Sequence, residues 1–124
     1  MVATILWMII IFILSTTYFS SQRTAHILDR ISTEINFRFL AHLIVYTIFG
    51  FLASGAIQTN FSWKNKFLIT LIVCILYAIM DEFHQNFEPE RKFRLIDIKT
   101  DTVGAFVGIL LYHLPFRIKH HREE

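Results

Sequence analysis

One cysteine, two prolines and four glycines are all that 124 residues contain of these types. With Cys74 alone there is no intrachain disulfide, which excludes a disulfide-stapled secreted scaffold. So few Pro and Gly exclude a collagen-like repeat and argue against a loop-rich extracellular module. Charge is scarce as well: Asp, Glu, Lys and Arg make up 18%, against about a quarter in an ordinary soluble domain. The formal net charge is only +2, and the bases form no stripe interleaved with aromatics, so nucleic acid is a poor partner. What is abundant is apolar: 54% hydrophobic residues, 13 Phe and a mean hydropathy of +0.48. This composition excludes a disordered tail and points to a small integral membrane protein of one domain.

A helix of about 20 residues crosses a ~30 Å hydrocarbon core. The chain offers four runs near that length. Val2 to Ser20 holds no charged residue; with no base before it and no A-x-A site after it, it reads as a retained span and not a signal peptide. Phe39 to Ile57 holds only the titratable His42. Phe67 to Met80 is short alone, but Asp-Glu-Phe-His-Gln-Asn-Phe follows without a breaker, giving a span over 67–87. Thr102 to Phe116 extends backwards to give 97–116. The expected fold is therefore an all-α membrane protein, a four-helix transmembrane bundle with spans over 2–20, 39–57, 67–87 and 97–116. Between the first two spans, Ile27, Leu28, Ile31 and Ile35 recur at helical spacing among Arg, Asp and Glu. Segment 21–38 reads equally as a short interfacial helix or as an ordered polar loop. Trp63 beside Lys64 and Lys66 is an interfacial anchor, and Pro115 ahead of Arg117, Lys119 and Arg122 closes the last span with a basic tail.

Four spans put both termini and loop 58–66 on one side, and 21–38 and 88–100 on the other. Five Lys/Arg lie on the terminal side and seven on the other, but the terminal ones are denser and nearly free of acid. That leans to cytoplasmic termini in a multi-pass plasma-membrane protein.

Six of the ten acidic residues fall between Asp81 and Asp101. A charge at the bilayer centre costs roughly 2.5–3.5 kcal/mol on insertion scales, so ionisable groups within spans mark function by default. Asp81 lies six residues from the end of the third span, roughly 9 Å in. Tyr77, Asp81, His84, Gln85 and Glu88 share one helical face, and Asp97, Asp101, Gly104 and Gly108 share another. Gly104-x-x-x-Gly108 allows a neighbouring backbone to approach. His42 lies one turn into the second span with Tyr46 on the same face. Span order puts these ends together. His42, Tyr46, Asp81, Glu82, His84, Gln85, Arg91, Asp97 and Asp101 therefore form a candidate pocket at one membrane face, with Arg91 as counter-ion. The competing reading is a salt-bridge network that locks the last two helices together.

The stretch Asp81-Glu82-Phe83-His84-Gln85-Asn86-Phe87-Glu88-Pro89-Glu90-Arg91, followed by Asp97-x-x-x-Asp101-x-x-Gly104-Ala105, resembles the signature of VanZ-like membrane proteins. His42-Leu43-Ile44-Val45-Tyr46 resembles that family's H-x-x-x-Y. The likeness covers the last three spans, roughly two thirds of the chain. It departs at Asp101, where the family commonly has Asn, which adds a carboxylate. The resemblance implies a bacterial cell-envelope setting and, from the family's namesake, low-level resistance to teicoplanin. It brings no settled reaction.

Three functions remain open from the residues. One is an envelope protein whose pocket binds a lipid head group or a lipoglycopeptide. Another is a membrane enzyme acting on a lipid-linked envelope precursor, with Glu82 as a candidate general acid. The third is a small proton-coupled exporter, disfavoured because Val2 to Ser20 holds no acid. A metal site from His42, Asp81 and His84 is the minor alternative to hydrogen-bonded histidines, so no cofactor is expected. Cys74, in an apolar run, reads as a core residue and not a nucleophile.

Overall fold

In the computed structural model the described residues are 1–17, 34–57, 60–87 and 94–120, and they form four α-helices with no strand among them. They are α1 (Val2–Thr17), α2 (Glu34–Ala56), α3 (Trp63–Gln85) and α4 (Leu95–His120). Each grows from a largely apolar run, and Pro115 lies inside α4. The expectation that Pro115 ends the last span is corrected. Proline deletes one backbone hydrogen bond, to the carbonyl four residues back, and a helix that is otherwise continuous carries this locally.

The boundaries differ from the sequence reading in a consistent way. α2 begins at Glu34, five residues before the expected 39, and ends at Ala56. α3 covers Trp63–Gln85 where 67–87 was expected, and α4 covers Leu95–His120 where 97–116 was expected. Helices continue past the apolar stretch because backbone hydrogen bonding does not stop where hydrophobicity does. Helix at Glu34 extends α2 into the segment read as interfacial helix or loop; its residues 21–33 lie outside the described residues, as do 18–20 of the first expected span.

Among the described residues, two helices are long and apolar enough to cross a membrane: Phe39–Ala56 and Trp63–Gln85, each with mean hydropathy 1.8 in its window. Val2–Leu14 is a shorter apolar stretch, and α4 carries too many polar residues to reach that hydropathy. The apolar residues that face outward, such as Ile5, Ile44, Leu76 and Val103, are about half exposed or more. A soluble protein of this size rarely leaves so continuous an apolar coat.

Helices that follow one another in the chain run antiparallel. Thr4 Oγ1 donates to the Leu52 carbonyl (3.1 Å) and Trp7 Nε1 to the Val45 carbonyl (3.1 Å), so α1 runs against α2. Tyr77 Oη donates to the Met8 carbonyl at 2.8 Å, which sets α3 alongside α1. These three bonds satisfy the polar tips that α1 and α3 would otherwise leave in an apolar setting.

α2 and α4 run parallel in the closest contact of the bundle. A Cβ at Gly104 would lie 2.6 Å from the Leu43 carbonyl oxygen and 3.3 Å from the Thr47 nitrogen. A Cβ at Gly108 would overlap the Thr47 carbonyl, and one at Gly50 would overlap the Ala105 carbonyl. Backbone thus touches backbone over about two turns of α2, the arrangement that small residues permit. Tyr46, Phe49, Ala53, Cys74, Tyr77, Ala78 and Ala105 fill the centre, with Phe49 against Tyr77 at 5.1 Å between ring centroids.

Candidate functional site

The four-helix order brings the start of α2, the end of α3 and the start of α4 to one end of the bundle. Most of the buried acid and amide side chains lie there. Asp81, Glu82, Gln85, Asp97 and Asp101 are each at most 6% exposed, and His42 is 8% exposed. Burial of this kind requires partners, because an isolated ionised carboxylate in a low-dielectric medium is costly.

His42 and Asp101 supply the shortest of these links. His42 Nδ1 lies 2.8 Å from Asp101 Oδ1, joining α2 to α4. With Asp101 ionised, its Oδ1 accepts from a proton on His42 Nδ1, and the pair fixes the orientation of the imidazole ring. The same contact depends on Gly104, because only close approach of α4 to α2 brings residues 42 and 101 within hydrogen-bond reach.

Along α3 the four-residue spacing of Asp81 and Gln85 is used within the helix. Gln85 Nε2 donates to Asp81 Oδ2 at 3.1 Å. Glu82, one residue on, turns to a different task. Its Oε1 accepts the backbone N–H of Arg94 at 2.8 Å, immediately before α4 begins. A buried carboxylate at a helix N-terminus satisfies a donor that has no intrahelical partner and sits at the positive end of the helix dipole. The sequence reading of Glu82 as a candidate general acid missed this tie. Acid at the end of one helix and the start of the next helix twelve residues later is the only signal that pointed to it. Asp97 lies buried in the first turn of α4, where the same dipole favours a carboxylate.

A small, partly open cavity of about 20 Å³, room for about one water molecule, lies between α1, α2 and α3. Its polar wall is His42 and Tyr46 from α2 with Asp81 and Gln85 from α3; its apolar wall is Ile11 and Leu14 from α1 with Ala41 and Val45 from α2. The Tyr46 hydroxyl is buried, 1% of the residue being exposed, and has no hydrogen-bond partner among the described residues.

Of the nine candidate pocket residues, the structure gathers His42, Tyr46, Asp81 and Gln85 around this cavity, with Asp101 directly behind His42. Glu82 and Asp97 are buried nearby and serve the α3–α4 junction. His84 is not part of the cavity wall: its ring stacks on Phe12 of α1 at 4.6 Å between centroids. Arg91, the expected counter-ion, and Glu88 lie outside the described residues. The triad of His42, Asp81 and His84 does not form. Among the described residues no three His, Cys, Asp or Glu side chains are placed to hold a metal ion, since His84 turns toward α1 while His42 is held by Asp101. The two α1 residues of the apolar wall escaped sequence reasoning because nothing in a uniformly apolar run marks which residues meet a cavity.

A family model described as VanZ/LLP1 covers residues 1–116. No curated protein and no solved structure matches the chain significantly.

Proposed function

The chain belongs to the VanZ/LLP1 family, whose model spans residues 1–116, and from that premise we propose that it is a multi-pass protein of the bacterial cell envelope that binds the polar head of an amphiphile at one membrane face. All four helices cross the bilayer, with α1 and α4 completing the bundle around α2 and α3, and both termini are cytoplasmic. The observation that carries this reading is the convergence of His42, Tyr46, Asp81 and Gln85 on one cavity whose remaining wall is apolar. A polar floor beside an apolar wall fits a molecule that is itself half polar.

In this reading the physiological outcome is the one attached to the family's namesake, low-level resistance to teicoplanin-type glycopeptides. The test is resistance of a susceptible bacterium expressing the chain, compared with His42→Ala, Tyr46→Phe, Asp81→Ala and Arg91→Ala, with membrane insertion checked by immunoblot of the membrane fraction. Loss of protection in the variants, at equal insertion, supports the pocket. Full protection by all four overturns it.

A second reading has its own observation. The 2.8 Å His42–Asp101 pair orients an imidazole as a general base is oriented. A membrane enzyme acting on a lipid-linked envelope precursor would use it. Lipid and muropeptide profiles identical between cells expressing the chain and cells expressing His42→Ala would exclude that chemistry.

A further inference from the structure

Tyr46 and Tyr77 bury the same phenol in different ways. Tyr77 is 8% exposed, and its hydroxyl donates to the Met8 carbonyl at 2.8 Å. Tyr46 is more deeply buried, at 1% exposed, yet its hydroxyl finds no hydrogen-bond partner among the described residues. A buried polar atom in that state carries the full cost of leaving water, so a partner is expected for it.

Tyr46 also lines the cavity of about 20 Å³, together with His42, Asp81 and Gln85. A water molecule needs at least about 10–15 Å³ of such volume and roughly two to four polar partners. The volume therefore admits one water and no larger group. A void lined only by apolar side chains stays dry, but four of the side chains on this wall are polar. Two partners follow without taking any group from the bonds it already makes. The Tyr46 hydroxyl both donates and accepts. An ionised carboxylate offers about four acceptor positions, so Asp81, which accepts from Gln85 Nε2 at 3.1 Å, can accept from a water as well.

We infer that the cavity is a binding site for one ordered water molecule, bonded to the Tyr46 hydroxyl of α2 and to the Asp81 carboxylate of α3. The water completes the buried phenol and ties α2 to α3 at the depth of the buried acids. This site stands whether or not an amphiphile binds. A polar group of such a ligand gains affinity there only by reproducing the bonds of the water it displaces.

Tyr77 supplies the internal reference. The protein, with ¹³C at the ring carbon that bears each tyrosine hydroxyl, is reconstituted in bilayers of deuterated lipid. Solid-state NMR then follows the transfer of polarisation from water protons to these carbons, the signals being assigned with Tyr46→Phe and Tyr77→Phe proteins. The expected result is a faster build-up at Tyr46 than at Tyr77, although Tyr46 is the more buried of the two. Reversible unfolding in mixed micelles reads the sign of the same contact. Tyr46→Phe removes a hydroxyl bonded to water, so the folding equilibrium constant should fall by about 2–10-fold, the loss of one hydrogen bond.

Transfer to Tyr46 no faster than to Tyr77 overturns the water site. A Tyr46→Phe protein at least as stable as wild type overturns it as well, because deleting a hydroxyl that has no partner relieves a cost. Both readouts are made without glycopeptide or added amphiphile, so failure here is distinct from failure of the resistance test above.

Discussion

Replacing Gly104 by alanine tests how packing and site are coupled. The added Cβ would sit 2.6 Å from the Leu43 carbonyl oxygen, 3.1 Å from Tyr46 Cβ and 3.3 Å from the Thr47 nitrogen, whereas ordinary contact begins at 3.4 Å. Two of these atoms are α2 backbone and cannot swing aside like a side-chain end. Relief requires α2 and α4 to part by 3.4 − 2.6 = 0.8 Å. The His42–Asp101 distance, now 2.8 Å, would then approach 3.6 Å if the helices move as rods, which is no longer a hydrogen bond. Overpacking costs about 1–3 kcal/mol, and a hydrogen bond to a charged group is worth about 1.5–3 kcal/mol. Alanine returns about 0.5–1 kcal/mol of helix propensity. The net loss is about 2–5 kcal/mol. The assay is reversible unfolding in mixed micelles followed by far-UV circular dichroism. Gly55→Ala is the internal control, because its Cβ would meet only the Tyr112 ring, at 3.4 Å; it should be neutral or slightly stabilising. A Gly104→Ala protein as stable as the Gly55→Ala protein would refute the close α2–α4 contact.

Further consequences follow from single contacts. Glu82→Ala removes the acceptor of the Arg94 N–H, so hydrogen exchange at residues 94–97 should accelerate by roughly 10–100-fold, a loss of about 1.5–3 kcal/mol in local protection. Unchanged exchange would remove Glu82 from the α3–α4 junction. Tyr77→Phe deletes the bond to the Met8 carbonyl and should destabilise by about 0.5–1.5 kcal/mol, with protease cleavage near the N-terminus rising as α1 loosens. Asp101→Asn keeps an acceptor for His42 and places there the residue common in the family; it should lie within about 1 kcal/mol of wild type, while Asp101→Leu, which strands the buried imidazole, should cost about 1–3 kcal/mol in the same unfolding assay.

The apolar skeleton was legible because oil-facing helices announce themselves by composition. The four helices follow the four long runs of the sequence, and the motif from Asp81 to Asp101 lies at the end of the bundle where the buried acids Asp81, Glu82, Asp97 and Asp101 gather. Helix ends were less legible, since Glu34, Trp63 and His120 continue hydrogen-bond ladders past the point where hydropathy falls. Helical periodicity put Asp81, Gln85, Asp101 and Gly104 on inward faces correctly, because period alone fixes a face. It could not say that Glu82 would turn to the start of α4 or that His84 would stack on Phe12, as both depend on rotation and rise of a neighbouring helix. The contacts of α1 were the least legible: Thr4, Trp7 and the acceptor of Tyr77 engage backbone carbonyls, which every residue carries and no sequence distinguishes.

The central claim is that carboxylates are held within an apolar bundle because partners from separate helices meet them at one depth. Solid-state NMR in lipid bilayers, measuring dipolar coupling between the ¹³C-labelled Asp101 carboxylate and the ¹⁵N-labelled His42 ring, tests it directly. Strong coupling to Nδ1 and weaker coupling to Nε2, consistent with the 2.8 Å contact, is the predicted result. No coupling to either nitrogen would contradict it.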